Sequence, residues 1–328
     1  MTVASLLRPW ECFSHFTDAQ LDRLATCVSR RHYDDGAAVL RHGDPSQEAY
    51  AIEAGGVAIQ RSTPYGDFRL ATLGPGELFG ETSYVDGGER SGDAVTLGGC
   101  DVLAIDPEAL AALVADDPAL HLALYWTFWK SLSSKLRRTN ERLTRFFSES
   151  GTSPAAVDRP AATSETAAFR VALEDKRRVF EEQRLSGLEI NFLASLSKEK
   201  KLAAGEPIFH EGDPGDAMYV VLDGRVMISK FIPGAGEEAL AFLERGDYFG
   251  EMALIDRQPR SADAKADAGG AVVLAIPREV LEGILDIRKV SSLRLLKLLC
   301  SLVARRLREL DEKIVGWYII AGGHHDGT

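Results

Sequence analysis

Two short segments, about 170 residues apart, place a carboxylate and a guanidinium at the same spacing. Glu81 and Arg90 lie in FGETSYVDGGERSGDAV, and Glu251 and Arg260 lie in FGEMALIDRQPRSADA. Arginine suits a phosphate because its planar fork makes parallel charge-assisted hydrogen bonds, each worth about 1.5–3 kcal/mol. An ionised glutamate accepts hydrogen bonds from hydroxyl groups. Each pair therefore predicts a site for a ligand that carries both a phosphate and a hydroxyl.

Small residues accompany both charged groups. Gly250 lets the backbone approach a ligand, and Ser261 and Ala262 leave room beside the arginine. If a helical turn begins at Glu251, its first N–H groups face the phosphate. We call residues 80–92 the first cassette and residues 250–262 the second cassette. The candidate ligand-binding residues are Gly250, Glu251, Met252, Ala253, Arg260, Ser261 and Ala262, and in the first cassette Gly80, Glu81, Thr82, Ser83, Arg90 and Ser91.

The two cassettes belong to a longer internal repeat. Gly36 matches Gly205, an offset of 169 residues, and Gly55-x-Val57 matches Gly224-x-Val226 at the same offset. One insertion changes the offset to 170, which aligns the cassettes. A chance motif would not keep register over this distance, so the chain contains two copies of one domain.

Each copy has the same predicted order of elements. A helical lead, at 18–28 and at about 188–196, precedes short alternating runs that Gly, Pro and Asp separate, which is typical of a small β-sandwich or barrel. Short helices at 108–114 and 278–284 follow, and then long helices at about 122–147 and 290–314. The predicted fold is α+β, with two jelly-roll-like β-rolls, each flanked by N-terminal and C-terminal helices.

The composition favours a folded two-domain protein. The chain has 328 residues, of which 45% are apolar, and its formal net charge of −11 argues against a protein whose whole surface binds nucleic acid. Four separate cysteines and no Cys/His spacing predict neither a metal nor a disulfide framework, which fits the cytoplasm. The predicted divisions are a domain at 1–147, a Ser/Thr/Pro/Ala-rich linker at 148–168, a second domain at 169–316 and a tail at 317–328.

The second cassette resembles that of the cyclic-nucleotide-binding domain family, and the segment GEPIFHEGDPGDAMYVVLDGRV resembles the family's β-roll. The family includes the catabolite activator protein and the regulatory subunit of cAMP-dependent protein kinase. The resemblance implies that Glu251 holds a ribose hydroxyl and Arg260 the phosphate of cAMP, or of cGMP. It implies a non-enzymatic receptor, without a cofactor, that signals to an effector protein.

Several alternatives stay open at this point. The first cassette departs at Thr82-Ser83-Tyr84, where Tyr84 either crowds the pocket or packs outward. The chain is alternatively a ligand-free structural adaptor with two degenerate rolls, or a protein that regulates a kinase. The stripe of Leu296, Leu299, Val303, Leu307, Leu310 and Ile314 packs on its own roll or makes a homodimer.

Other classes of function are disfavoured. The basic residues of the first long helix are interpreted as a solvated face rather than a nucleic-acid patch. These residues are Lys130, Lys135, Arg137, Arg138, Arg142 and Arg145. We expect no DNA-binding domain, no membrane insertion and no nucleophile–base pair of an enzyme.

Overall fold

The computed structural model describes residues 2–148, 170–182, 187–232, 236–286 and 288–323. These residues form two compact units, which differ from the predicted domains. The first unit takes in the described residues up to 139 and again from 288 onward, and the second takes in those from 140 to 286. The predicted linker, apart from Ser148, and the end of the tail lie outside the described residues.

The first unit begins with two short helices, encloses a six-stranded sheet and continues into the first long helix. Its helices in this part of the chain are α1 (Val3–Leu7), α2 (Asp18–Leu24), α3 (Glu81–Asp86), α4 (Pro107–Asp116) and α5 (Pro118–Ser148), and the last residues of α5 group with the second unit. Its strands are β1 (Val28–Tyr33), β2 (Ala38–Leu40), β3 (Ala49–Thr63), β4 (Gly66–Leu73), β5 (Leu78–Phe79) and β6 (Asp93–Ile105).

The second unit repeats this order. Its helices are α6 (Leu173–Glu181), α7 (Gly187–Leu196), α8 (Glu251–Ile255) and α9 (Arg278–Ile284). Its strands are β7 (Lys198–Leu202), β8 (Pro207–Phe209), β9 (Ala217–Ile232), β10 (Gly236–Leu243), β11 (Tyr248–Phe249) and β12 (Asp263–Pro277). A final helix, α10 (Leu293–Ile320), belongs to the first unit.

Local sequence signals start the helices where the pattern predicts them. Thr17 caps α2, since its side chain accepts a hydrogen bond from the backbone N–H of Gln20, whose side chain accepts one from the N–H of Thr17. Asp106 caps α4 and is followed by Pro107, a residue favoured at the first helical position. The predicted lead at 18–28 is shorter than expected, because α2 ends at Leu24 and a 3-10 turn precedes β1.

The two sheets share one antiparallel topology. The strand order is β1-β6-β3-β4 in the first unit, with β2 on β6 and β5 on β3. In the second unit it is β7-β12-β9-β10, with β8 on β12 and β11 on β9. The predicted α+β fold of two β-rolls is therefore confirmed.

The matched glycines of the repeat mark a close crossing of two strands. Gly224 has a φ of +74° and Gly55 a φ of +84°, both in the left-handed region. A Cβ at either position would lie 2.3 Å from a carbonyl oxygen, that of Gly270 or Gly99. Only glycine allows the strands to meet there, which explains why the motif recurs at this point of the repeat.

Matching aromatic pairs lie in the two cores beneath the cassettes. Tyr50 pairs with Phe79 across β3 and β5, and their rings stack at 4.9 Å. Tyr219 pairs with Phe249 across β9 and β11, and their rings stack at 5.1 Å. All four residues belong to the buried core clusters of their sheets. Each cassette therefore starts from a strand that the core holds in place.

The C-terminal helix packs differently from the sequence prediction. The pattern groups it with the second domain, whereas α10 packs against α3, β3 and β4 of the first unit. The predicted stripe is buried, at 0–7% exposure, and consists of Leu296, Leu299, Val303, Leu307, Leu310 and Ile314. An apolar stripe shows that a helix face is covered but not by which surface. Since the stripe is covered within one chain, it is not the exposed face that a homodimer would need.

The same helix is also longer than predicted. The pattern ends it near Ile314 and expects a tail from 317, but α10 continues to Ile320. The extension is held by Tyr318, whose ring lies 4.4 Å from the ring of Phe68 on β4. Among the described residues, no helix has both the length and the apolarity that a membrane span requires.

Candidate functional site

Each cassette starts as a strand, a glycine and a short helix. β5 leads through Gly80 into α3, and β11 leads through Gly250 into α8. Both glycines have positive φ, +79° and +77°. A Cβ would lie 2.8 Å from Nη1 of Arg90 at the first glycine and 2.7 Å from Nη1 of Arg260 at the second. The glycine thus makes the turn and leaves space for the arginine of its own cassette.

Main-chain carbonyls hold Arg260 in the second cassette. Its Nη1 donates to the carbonyl of Gly250 at 2.6 Å, and its Nη2 donates to that of Ala217 at 2.6 Å. The nearest carboxylate oxygen, of Asp216, is 3.4 Å away on a side chain that is 83% exposed. The arginine is 3% exposed, so a fixed cation is buried here with a weak acidic partner.

Two further features define the surroundings of Arg260. The guanidinium lies over the ring of Phe209, 4.2 Å from its centroid, in a cation–π contact. Its Nε is buried and has no hydrogen-bond partner among the described residues. Burial lowers the pKa of Arg260, while Tyr219, Asp216 and Glu251 act in the opposite direction. The buried guanidinium therefore has one donor, Nε, that the described part of the chain leaves unsatisfied.

The other predicted residues of the second cassette are buried or half-buried. Glu251 begins α8, is 1% exposed, and interacts electrostatically with Arg260. The side chain of Ser261 is half-buried, and its hydroxyl accepts a hydrogen bond from Nδ2 of Asn140 at 3.4 Å. The small or apolar side chains are buried at 2–7% exposure and are those of Met252, Ala253 and Ala262.

Arg278 fixes the end of the cassette helix and was not predicted. It begins α9, directly after β12. Its Nη1 donates to the carbonyl of Leu254 at 2.7 Å, and its Nη2 donates to that of Ala253 at 3.2 Å and to that of Gly215. The carbonyls of Ala253 and Leu254 are ones that a helix end leaves without intrahelical partners, whereas Gly215 lies in the loop before β9. In the repeat Arg278 aligns with Pro107, so comparing the copies would have shown it as specific to the second cassette.

In the first cassette, the chain's own side chains engage the glutamate. Glu81 is 0% exposed, and its Oε1 accepts hydrogen bonds from Ser131 Oγ at 2.7 Å and from Lys135 Nζ at 2.5 Å. Burial acts to raise the pKa of Glu81, but the Lys135 ammonium and these hydrogen bonds hold it below its usual value. Lys135 is therefore a partner of the cassette and not part of a solvated basic face, which corrects the sequence interpretation.

All three nitrogens of the Arg90 guanidinium group have partners. Nη1 donates to the carbonyl of Gly80 at 2.7 Å, and Nη2 donates to that of Glu48 at 2.7 Å. Nε donates to Ser46 Oγ at 3.2 Å. Position 46 aligns with Gly215 of the second copy, which has no side chain to offer. The two arginines therefore share their main-chain contacts and differ at Nε.

The remaining predicted residues of the first cassette contact protein groups or lie beside them. Ser83 is 2% exposed, and its hydroxyl donates to the carbonyl of Glu89 at 3.2 Å. Ser91 accepts a hydrogen bond from Arg61 at its carbonyl, and Thr82 is half-buried. The ring of Tyr84 packs 5.3 Å from the ring of Phe128 on α5. This contact packs the tyrosine ring against α5, the helix that also carries Ser131 and Lys135.

Comparisons with known proteins agree with this architecture. A family model described as "Cyclic nucleotide-binding domain" matches residues 30–117 and 199–288, more than half of the chain. A cyclic AMP receptor protein of Thermus thermophilus is 37% identical over 123 residues, which are 38% of this chain and 55% of that protein. A cGMP-dependent protein kinase of Toxoplasma gondii is 25% identical over 273 residues, which are 83% of this chain and 22% of that protein.

The match to these relatives is partial. The matched residues span about half or less of the length of either protein. A solved regulatory domain of Toxoplasma gondii PKA with cAMP shares 19% identity and a TM-score of 0.32, over 86% of this chain and 90% of that chain. Both copies of the repeat match the family in sequence. The chain belongs to the cyclic nucleotide-binding domain family and carries two of these domains in tandem.

Proposed function

We propose that the second cassette binds a cyclic mononucleotide, cAMP, and that the chain is a receptor that passes this signal to a protein partner. Arg260 receives the phosphate and Glu251 accepts a hydrogen bond from the ribose hydroxyl. Gly250, Met252, Ala253, Ser261 and Ala262 line the rest of the site. The chain supplies binding rather than bond-breaking chemistry.

The observation that carries this proposal is the incomplete hydrogen bonding of the buried Arg260 side chain. A buried cation is costly unless its donors are satisfied. Here Nε has no hydrogen-bond partner among the described residues, and the nearest carboxylate is 3.4 Å away on an exposed side chain. A phosphate oxygen completes both the hydrogen bonding and the charge balance, and the arginine fork is already oriented by two carbonyls and Phe209.

The choice of ligand and partner rests on the relatives. One similar protein is named as a receptor for cyclic AMP, and others are named as cGMP-dependent or cAMP-dependent kinases or kinase regulatory subunits. The cyclic AMP receptor protein has a higher identity to this chain than the cGMP-dependent kinase, which favours cAMP over cGMP as the ligand. The kinase names favour a protein kinase as the effector. A change in the helices around the cassette would carry the signal if the ligand binds one arrangement more tightly.

Isothermal titration with cAMP and cGMP tests the binding proposal. We expect wild type to bind cAMP, and Arg260→Ala to lose at least about tenfold in affinity, because a charge-assisted bond contributes about 1.5–3 kcal/mol. Arg257→Ala is the matched control, since this cation of the same loop is 79% exposed. If wild type gives no heat with either nucleotide, or if Arg260→Ala binds normally, the proposed site is wrong.

A further inference from the structure

The loop between α3 and Arg90 is rich in glycine. Its segment Gly87-Gly88-Glu89 aligns with Arg257-Gln258-Pro259 of the second cassette. Glycine loses more conformational freedom on folding than any other residue, and proline fixes φ, so the loop of the first cassette is intrinsically the more flexible one. The spacing between Glu81 and Arg90 therefore needs support from outside this loop.

Arg308 of α10 provides such support from a distant part of the chain. Its Nε donates to Asp86 Oδ2 at 2.6 Å and its Nη2 donates to Asp86 Oδ1 at 3.0 Å, a bidentate pair at the end of α3. The exposed fractions of the two side chains are 21% and 16%, so water and salt screen this ion pair less than a surface pair. A Cβ at Gly88 would lie 3.2 Å from Nη2 of Arg308, so this glycine of the loop leaves room for the guanidinium.

The same guanidinium completes a triangle of hydrogen bonds inside the cassette. Ser83 Oγ donates to the carbonyl of Glu89 at 3.2 Å. Arg308 donates to the same carbonyl through Nη1 at 2.6 Å and to Ser83 Oγ through Nη2 at 3.2 Å. Ser83 lies two residues after Glu81, and Glu89 directly precedes Arg90. One side chain of α10 therefore joins the two segments that carry the charged groups of the first cassette.

Arg278 supports the second cassette in a similar way, but from the helix that directly follows its own roll. From α9 it donates to the carbonyls at the end of α8. Pro107 occupies the aligned position in the first copy and has no donor to offer. Arg308 supplies the corresponding contacts to α3 from a position 222 residues after Asp86. The first cassette therefore depends on a helix that the chain supplies only after the whole second roll.

Glu81 retains one oxygen for a ligand. Its Oε1 accepts hydrogen bonds from Ser131 and Lys135, but its Oε2 is buried and has no hydrogen-bond partner among the described residues. A buried acceptor without a donor is costly, and a ribose hydroxyl would satisfy it. The position of Oε2 relative to Arg90 depends on α3 and its loop, which are the segments that Arg308 holds.

We propose that Arg308 is a positioning residue for the first cassette, and that docking of α10 and binding of a cyclic nucleotide in this cassette stabilise each other. With α10 docked, Glu81 and Arg90 keep the spacing that the ribose and the phosphate of one nucleotide require. Coupling between two binding events is reciprocal, so a nucleotide in the first cassette also tightens α10 on the first unit. This inference rests on the ligand class of the proposed function, and it adds a second site that the last helix regulates.

Titration calorimetry on the full chain tests the inference in an Arg260→Ala background, which isolates the first cassette. We expect Arg260→Ala to keep one cAMP site and Arg260→Ala/Arg90→Ala to lose it. Adding Arg308→Met should weaken the remaining site at least tenfold, because the cassette loses four hydrogen bonds. Arg305→Met is the matched control and should leave the affinity unchanged, since this arginine of the same helix is 52% exposed and pairs with Glu309.

A double-mutant cycle with Asp86→Asn separates positioning from a general loss of folding. The asparagine keeps the Oδ1 acceptor for the N–H of Gly88 but removes the charge that pairs with Arg308. Asp86→Asn should weaken the first site, and the double variant Asp86→Asn/Arg308→Met should bind no more weakly than Arg308→Met alone. Losses that simply add in the double variant would overturn the inference.

Hydrogen exchange of α10 measures the reciprocal effect. We expect cAMP to slow amide exchange of residues 293–320 in Arg260→Ala, and to leave it unchanged in Arg260→Ala/Arg90→Ala. Unchanged affinity in Arg308→Met, unchanged exchange of α10 in Arg260→Ala, or no remaining site in Arg260→Ala would each overturn the inference. The proposed function survives these outcomes, because wild type still binds through the second cassette. No binding by wild type would overturn both.

Discussion

At the scale of single residues, the two cassettes share a sequence motif, but their arginines differ in the hydrogen bonding of Nε. The sequence predicted both charged pairs, because their spacing is repeated and their chemistry is specific. It did not predict the partner of Glu81, since Lys135 lies among other basic residues of a helix and looks like one of a solvated row. The difference between Ser46 and Gly215 can be seen in the aligned repeat. Only the fold shows that the side chain at position 46 accepts a hydrogen bond from Nε of Arg90.

The Glu81–Lys135 pair makes stability depend on pH. The pKa of Glu81 is lowered from its usual 4.5, so the stability it contributes is fully present above pH 4.5 and is lost as the pH falls through the lower folded-state value. We expect the free energy of unfolding of wild type to exceed that of Glu81→Gln at pH 7, by about 3 kcal/mol or more for a broken buried pair.

Urea unfolding at pH 7, 4.5 and 3.5 measures this difference. It should shrink below pH 4.5, because wild type then loses the contribution that the glutamine variant never had. Asp18→Asn provides a control, since Asp18 forms an ion pair in which its side chain is 75% exposed. A difference between wild type and Glu81→Gln that stays constant down to pH 3.5 would contradict an ionised, paired Glu81.

At the scale of elements, short helices depend on groups outside themselves. α8 has five residues, too few to be stable in isolation. It is held at its start by the Gly250 turn and at its end by Arg278. The sequence predicted the strands and the glycine turns well, because alternation and positive φ are local properties. It could not predict what α10 covers, since packing partners depend on tertiary structure.

Loss of the Arg278 contacts should loosen the second cassette. We expect Arg278→Met to weaken cAMP binding about tenfold without changing the number of sites, because three carbonyls near α8 lose their donor. Titration calorimetry measures the effect, with Arg225→Met as the control, a half-exposed arginine paired with Asp267 elsewhere in the unit. Equal affinity in the two variants would show that Arg278 does not position α8.

At the scale of the whole molecule, the first unit is built from both ends of the chain. The sheet and α1 to α4 come from residues before 139, and α10 comes from residues after 288. The repeat predicts two domains that follow each other along the chain, because homologous copies usually fold as units. The division into compact units differs from the repeat because α10 contacts Asp86, Arg61 and Phe68 of the first unit.

A fragment of residues 1–147 should therefore be less stable than the same roll in the full chain. It lacks α10, whose buried leucines each contribute about 1.5–3 kcal/mol when removed from water. We expect a lower and broader thermal transition by circular dichroism, and we expect an added peptide of residues 288–323 to raise its midpoint. A scrambled peptide of the same composition is the control, and a fragment that melts like the full chain would contradict the division into units.

The position of Arg308 also has a consequence for synthesis of the chain. Its partner Asp86 lies 222 residues earlier, so the ribosome completes one long before the other. At roughly 5–20 residues per second, the interval is on the order of 10–45 seconds. Every strand of the second roll is made within this interval. The nascent first cassette therefore stays without α10 while the whole second roll is translated.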